Sequence, residues 1–131
     1  MSKNTTKSQQ PDLLKRSLCP ITNSLEIIGD KWTLVIIRDL FLDKRTYSEF
    51  QQSPEGIPTN ILADRLKRLE ATGIVAKTPY QDKPVRYEYK LTEQGKALSD
   101  VLTAVKEWGL KYIKGTSIKM AEEYLKRSKA E

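Results

Sequence analysis

Residues 58–91 read PTNILADRLKRLEATGIVAKTPYQDKPVRYEYKL, and the change of period inside this stretch decides the fold. Its first half places Leu62, Leu66 and Leu69 on one stripe, a spacing of three and four that belongs to a helix with one buried face. Pro58 suits the first turn, where its missing N–H costs nothing, and Gly73 stops the chain, so the expected helix spans about 58–72. After Gly73 the period drops to two. Ile74 to Tyr80 reads as one strand, and Val85, Tyr87, Tyr89 and Leu91 alternate with Arg86, Glu88 and Lys90 in the next. Gln81-Asp82-Lys83-Pro84 supplies the turn between them.

Upstream, Thr46 or Ser48 begins a short helix with Tyr47 and Phe50, and Ser53-Pro54-Glu55-Gly56 is a turn by composition. Asp30 can cap a helix over 31–42 whose Trp32, Val35, Ile36 and Leu40 recur at helical spacing. Pro20 opens a further short helix carrying Ile21, Leu25 and Ile28 and ending near Gly29. Downstream, Thr92 caps a long helix, about 93–114, with Leu98, Leu102, Val105, Trp108 and Tyr112 along one side, and Gly115 stops it. A last amphipathic helix starts near Ser117 and carries Ile118 and Leu125. Short helix, turn, longer helix, β-hairpin is the order of a winged helix-turn-helix. The expected fold is therefore mainly α with a small β-hairpin. Residues 1–12 read as a disordered basic arm, and 13–131 as one winged-helix domain with terminal dimerisation helices over about 13–29 and 93–129.

Composition limits the chemistry. The chain of 131 residues fits one domain. It has no histidine and a single cysteine, which removes Ser-His-Asp and Cys-His nucleophile systems and any ordinary zinc site. Its glycines are scattered singly, so no phosphate-cradling loop is present, and neither an enzyme nor a bound metal or other cofactor is expected. No apolar run reaches membrane-spanning length and Met1 to Gln10 lacks an apolar leader core, which points to the cytoplasm and away from membranes. The net charge of +6 favours polyanions. Its distribution says more, because residues 59–90 hold seven Lys/Arg against four Asp/Glu while 30–57 hold four against five.

Double-stranded DNA is the expected partner. The leucine stripe of the 58–72 helix leaves Asn60, Ala63, Asp64, Lys67 and Arg68 on the other side, and Thr59 and Asn60 lie in the first turn, where side chains reach base edges. Asp64 can accept from a cytosine amino group or pair with Arg68 four residues on. Lys83 and Arg86 flank Pro84 at the hairpin tip, a stiff basic finger for phosphates or a narrow minor groove. The same features on a solvated face, or in a winged helix that binds proteins instead of DNA, are the competing explanations. Gly29-Asp30-Lys31-Trp32 reads as turn, cap and core tryptophan, and Tyr87 and Tyr89 as the inner face of the hairpin.

Several short pieces, in this order and spacing, resemble the HxlR-type winged-helix regulators, relatives of the MarR group. They are Cys19-Pro20, Ile28-Gly29-Asp30-Lys31-Trp32, Ile61-Leu62-Ala63-Asp64-Arg65-Leu66, Leu69-Glu70 with Gly73-Ile74-Val75, and Tyr89-Lys90-Leu91-Thr92-Glu93-Gln94-Gly95. The resemblance runs from Cys19 to about Gly109. It implies a homodimeric transcriptional regulator, a repressor by expectation, in which the terminal helices form the dimer interface and Thr59 to Arg68, Arg65 included, read a pseudo-palindromic operator. Ile21, Leu25, Ile28, Leu98, Leu102, Val105, Tyr112, Ile118 and Leu125 are the interface candidates. Pro58 stands where serine commonly caps this helix in the family, which leaves Thr59 as the substitute cap.

Cys19 precedes Pro20 at a helix N-terminus with Lys15 and Arg16 nearby, a setting that favours the thiolate. In some regulators of the resembling group the cysteine of this pair senses oxidants or electrophiles, so an oxidant or small-molecule effector is a further expected partner. The alternative is a small apolar residue packed under the dimer interface.

Overall fold

In a computed structural model of the chain, residues 12–117 are described. The elements run α1 (Pro20–Ile28), α2 (Thr33–Phe41), α3 (Tyr47–Gln51), α4 (Thr59–Ala71), β1 (Val75–Asp82), β2 (Val85–Leu91), α5 (Glu93–Lys96) and α6 (Ser99–Tyr112). The arm expected over 1–12 falls, except for Asp12, outside the described residues, as do Ile118 and Leu125.

The core forms where α4 lies against α2 and the base of the hairpin. Leu62, Leu66 and Leu69 are each at most 1% exposed, as the spacing of the leucines requires. They meet Ile36, Ile37, Leu40 and Phe41 of α2, Phe50 of α3, and Ile74, Val75, Tyr89 and Leu91 at the hairpin base. Trp32 is half-buried at the edge of this cluster. Gly73 ends α4 with φ at +82°, a left-handed conformation that suits glycine. The N–H of Gly73 donates to the Glu70 carbonyl at 3.1 Å and that of Ile74 to Leu69 at 2.9 Å, a Schellman closure that turns the chain directly into β1.

β1 and β2 pair antiparallel, with Val75 opposite Leu91 and Pro79 opposite Tyr87, and the register slips between Pro79 and Gln81. Tyr80 is the extra residue of this irregularity, and it is exposed. The turn is tighter than expected, since β1 continues through Asp82 and only Lys83 and Pro84 connect the strands. The inner face of the hairpin holds only near its base. Tyr89 and Leu91 are buried, Tyr87 is half-buried, and Val85, expected inside, is exposed because the hairpin there extends beyond the core.

The long helix expected over 93–114 is broken. Thr92 does cap, accepting from the Gly95 N–H at 3.2 Å, but the helix it starts is α5 alone. Gly95 lies so close to the Ile74 carbonyl and Leu91 that a Cβ would collide with both. That contact holds α5 on the hairpin base, Leu98 N–H bonds back only to the Gly95 carbonyl at 3.0 Å, and α6 restarts from Leu98. Leu102, expected at a dimer interface, is 8% exposed and belongs to the core, because it shares with half-buried Leu98 the face that packs on that core.

Two charged clusters fasten the outer layer. Buried Asp39 accepts from Arg38 at 2.9 Å and from the Ser53 hydroxyl, and Arg38 grips Glu55 with two bonds of 2.8 and 2.9 Å. These bonds tie the turn before α4 to α2. On the other flank Asp30 accepts from the Trp32 N–H at 3.1 Å, from the Thr33 hydroxyl at 2.5 Å and from Arg65 Nε of α4 at 2.8 Å. Burial pushes the Asp30 carboxyl up, yet the bonds from Arg65, Thr33 and Trp32 outweigh it and bring it down from 3.8 to about 2.

A depressed folded-state pKa stabilises above the unfolded value, and that stabilisation disappears as pH falls through the folded value. Asp30→Asn should therefore lose about 1–2 kcal/mol of stability at pH 7, the size of the shift discounted for solvent screening at a half-buried carboxylate. The difference from wild type should shrink as pH falls below about 4. Urea unfolding at pH 7 and pH 3 checks this, and a difference that ignores pH would contradict it.

Candidate nucleic-acid interface

The helix-turn-helix consists of α3, the turn over 52–58, and α4. A capping box starts α3, with Thr46 Oγ1 accepting from the Glu49 N–H and the Glu49 carboxylate accepting from the Thr46 N–H. Pro58 occupies the N-cap position of α4 and Thr59 is its first helical residue. Thr59 is therefore not the substitute cap. Its hydroxyl instead accepts from the Gln51 amide at 3.1 Å, linking α3 to α4, and no side chain caps this end.

Around the α4 axis, Asn60 and Lys67 are exposed and lie opposite the leucine stripe, with half-buried Ala63 and Asp64 on either side of them. Thr59 is exposed at the helix start. Asp64 pairs with Arg65, its chain neighbour, and not with Arg68. The two arginines point to the flank. The Arg65 side chain is 17% exposed and is held by Asp30, while Arg68 donates to the Glu26 carbonyl of α1 at 3.2 Å. The apolar spacing sets Arg65 nearer the leucine stripe than Lys67, but it does not separate Arg68 from Lys67. What engages them is Asp30 for Arg65 and the Glu26 carbonyl for Arg68, which only the folded chain brings near.

The hairpin tip carries exposed Lys83 and Arg86, neither with an ion-pair partner among the described residues. Gln81 braces the turn by donating to the Pro84 carbonyl at 3.0 Å. Further down, Lys77 lies over the Tyr87 ring, 4.4 Å from its centre. At the base, the Tyr89 N–H donates to the Arg45 carbonyl at 2.8 Å, which fixes the hairpin to the start of α3. The Tyr89 ring sits 6.2 Å from Tyr47 and 6.4 Å from Phe50. Burial raises both the Tyr89 and Tyr47 phenols above their ordinary range, so both stay neutral.

Between α3 and the hairpin runs a cleft of about 400 Å³. Thr46, Ser48 and Gln51 line one wall, and Pro84, Arg86 and Tyr87 the other. Sequence reasoning assigned Thr46 and Ser48 only to capping. Their place opposite Arg86 depends on how the hairpin folds back, which no local pattern encodes.

Cys19 is exposed at the N-cap of α1. Hydrogen bonds from the Thr22 and Ile21 N–H groups and the Thr22 side chain lower its thiol pKa. The helix terminus supplies this effect, and the nearby cations do not, since Arg16 is bound to Glu26 at 2.8 Å and Lys15 faces Asp12 at 3.8 Å. Beyond Cys19, α1 exposes Ile21 and Leu25, and α6 exposes Val105, Trp108 and Tyr112. An apolar groove of about 430 Å³ lies between the two helices, lined in part by Ile21, Leu25, half-buried Ile28 and half-buried Leu98.

Comparison with known proteins agrees with this geometry. The HxlR-like helix-turn-helix family matches residues 27–117. The HTH-type transcriptional regulator Mb3122 of Mycobacterium bovis is 34% identical over 93 residues, covering 71% of this chain and 58% of the relative's length. Among solved structures, the transcription-factor structure of PA1607 aligns with a TM-score of 0.70 at 37% identity, over 79% of this chain and 73% of that one. The redox regulator HypR in its reduced form aligns at 0.64 and 33% identity, over 71% and 92%. With residues 27–117 matched, a span that holds α4 and the hairpin, the chain belongs to the HxlR-like helix-turn-helix family.

Proposed function

We propose that the chain is a sequence-specific, double-stranded DNA-binding transcriptional regulator, a cytoplasmic repressor rather than an enzyme. One observation carries this reading. Asn60 and Lys67 stand exposed on the side of α4 opposite its buried stripe, and the tip of the hairpin that follows carries two exposed cations with no ion-pair partner among the described residues. In this reading α4 lies in the major groove, where Asn and Lys suit adenine and guanine edges, with Thr59, Ala63 and Asp64 beside them. The uncapped first turn of α4 faces a phosphate. Lys83 and Arg86 follow the flanking backbone or minor groove, and the cleft behind them takes the sugar-phosphate strand.

The regulator acts as a homodimer. Exposed Ile21 and Leu25 on α1, exposed Val105, Trp108 and Tyr112 on α6, and the apolar groove between the two helices support this pairing. A two-fold pairing through these helices brings the two copies of α4 to successive turns of one duplex face and requires a pseudo-palindromic operator. The exposed, acidified thiol of Cys19 supports an oxidant or electrophile as effector. With no second cysteine in the sequence, any disulfide at Cys19 joins it to another molecule.

Titrations on the preferred and a scrambled duplex, at several salt concentrations, test the division of labour. Asn60→Ala or Lys67→Ala should cost roughly 1–3 kcal/mol on the preferred duplex and relax selectivity at one position. Lys83→Ala or Arg86→Ala should weaken binding to both duplexes alike and flatten the salt dependence by about one unit of slope. Helix variants that bind like wild type, alongside hairpin variants that lose sequence preference, would overturn the assignment.

For the effector, treatment with a quinone or peroxide should weaken binding to the preferred duplex, and Cys19→Ser should abolish that response. Wild-type affinity that ignores the treatment would return Cys19 to packing.

A further inference from the structure

Arg65 and Arg68 stand out because their surroundings contradict the role that their place in α4 suggests. At about 100° per residue, Asn60 and Lys67 fall within about 40° of the point opposite Leu62. Arg65 falls about 120° from that point, on the flank facing the α1–α2 turn. There the Arg65 side chain is 17% exposed, with Nε 2.8 Å from Asp30 Oδ2 and NH1 bound to Asp64. Asp30 is itself fixed, by the Trp32 N–H at 3.1 Å and by the hydroxyl of Thr33, a residue 2% exposed. One turn further along, Arg68 reaches the Glu26 carbonyl at 3.2 Å, and the Glu26 carboxylate is held by Arg16 at 2.8 Å.

We propose that Arg65, seconded by Arg68, is a positioning residue that sets the rotation of α4 from the α1–α2 turn and makes no contact with DNA. Apolar burial is non-directional, so the leucine stripe decides which face of α4 is inside without fixing its rotation closely. A planar guanidinium bonded to two carboxylates is directional, and a modest rotation of α4 breaks it. The chain from Thr33 through Asp30 to Arg65 thus sets the angle at which Asn60 and Lys67 are presented. Through Glu26, the same helix α1 that carries Cys19 and the apolar face touches α4. The proposal rests on the reading of α4 as the DNA-reading element.

The test compares wild type, Asp30→Asn, Arg65→Ala and the double variant on the preferred and scrambled duplexes across a salt series. In Asp30→Asn the amide oxygen can take the place of Oδ2 and accept from the Trp32 N–H while the amide NH2 donates to the Thr33 hydroxyl, and the charge that holds Arg65 is lost. A positioning role predicts that both single variants bind the preferred duplex about five- to thirty-fold more weakly, the range of one to two kcal/mol. Binding to the scrambled duplex and the salt slope should stay as in wild type, and the double variant should be no worse than either single one. A contact role predicts opposite signs. Asp30→Asn would then free Arg65 and tighten binding with a steeper slope, while Arg65→Ala would lower the slope by about one unit, and either result overturns the proposal. Thermal melts of the free variants check folding. Where Arg65→Ala does not fold, Arg65→Gln carries the same test, because it removes the charge while keeping an amide N–H that can still donate to Asp30. A wild type that prefers no duplex removes the reading of α4, and this proposal with it. A wild type with a preference that the variants leave intact removes this proposal alone.

Discussion

The burial of Leu62, Leu66 and Leu69 is the constraint on which the rest of the molecule depends. These side chains meet α2, α3 and the hairpin base at once, so placing them places α4 relative to every other element of the core. The Schellman closure at Gly73 then carries that placement into Ile74 and Val75, both buried, and so into the hairpin. The backbone bond from Tyr89 to Arg45 closes the circuit back to α3. Helix α4 and the base of the hairpin therefore share one packed corner.

Charge is distributed in two layers over this corner. The inner layer is paired and directional. Asp39 with Arg38 and Ser53 holds the turn before α4, and Asp30 with Arg65 holds its flank. The outer layer is unpaired, since Lys67, Lys83, Arg86 and Lys90 have no ion-pair partner among the described residues. The basic excess over residues 59–90 therefore overstates the charge free to meet a polyanion, because Arg65, Arg68 and Lys77 are already engaged within the chain. The cations left over lie where α4 and the hairpin face solvent, which is why net charge alone is a poor guide to this surface and its distribution a better one.

The sequence made the α4 stripe, its stop at Gly73, the hairpin and the short α1 legible, because each rests on local periodicity or a turn residue. What it concealed depends on contacts between distant segments. The break between α5 and α6 comes from Gly95 pressed on the Ile74 carbonyl, twenty-one residues back in the chain, so the apolar spacing of 93–114 gave no sign of it. Leu102, expected at the interface, is buried in the core, because a stripe marks a face and cannot say what covers it. Val85 fits the alternation of its strand and is still exposed, because alternation marks a face and cannot say where the core ends. In the candidate site, Asn60 and Lys67 were legible from helix geometry, whereas the engagement of Arg65 and Arg68 and the wall formed by Thr46 and Ser48 required the folded chain.

A two-fold dimer that holds two copies of α4 at a fixed separation, as proposed, reads one duplex at two half-sites. Selection of bound duplexes from a random pool, followed by sequencing, tests it most directly. The expected product is a pseudo-palindrome with half-site centres about 10–10.5 base pairs apart or a multiple of that, the spacing of one helical turn. Enrichment of a single unpaired half-site, or no enrichment of any sequence over the starting pool, would contradict it.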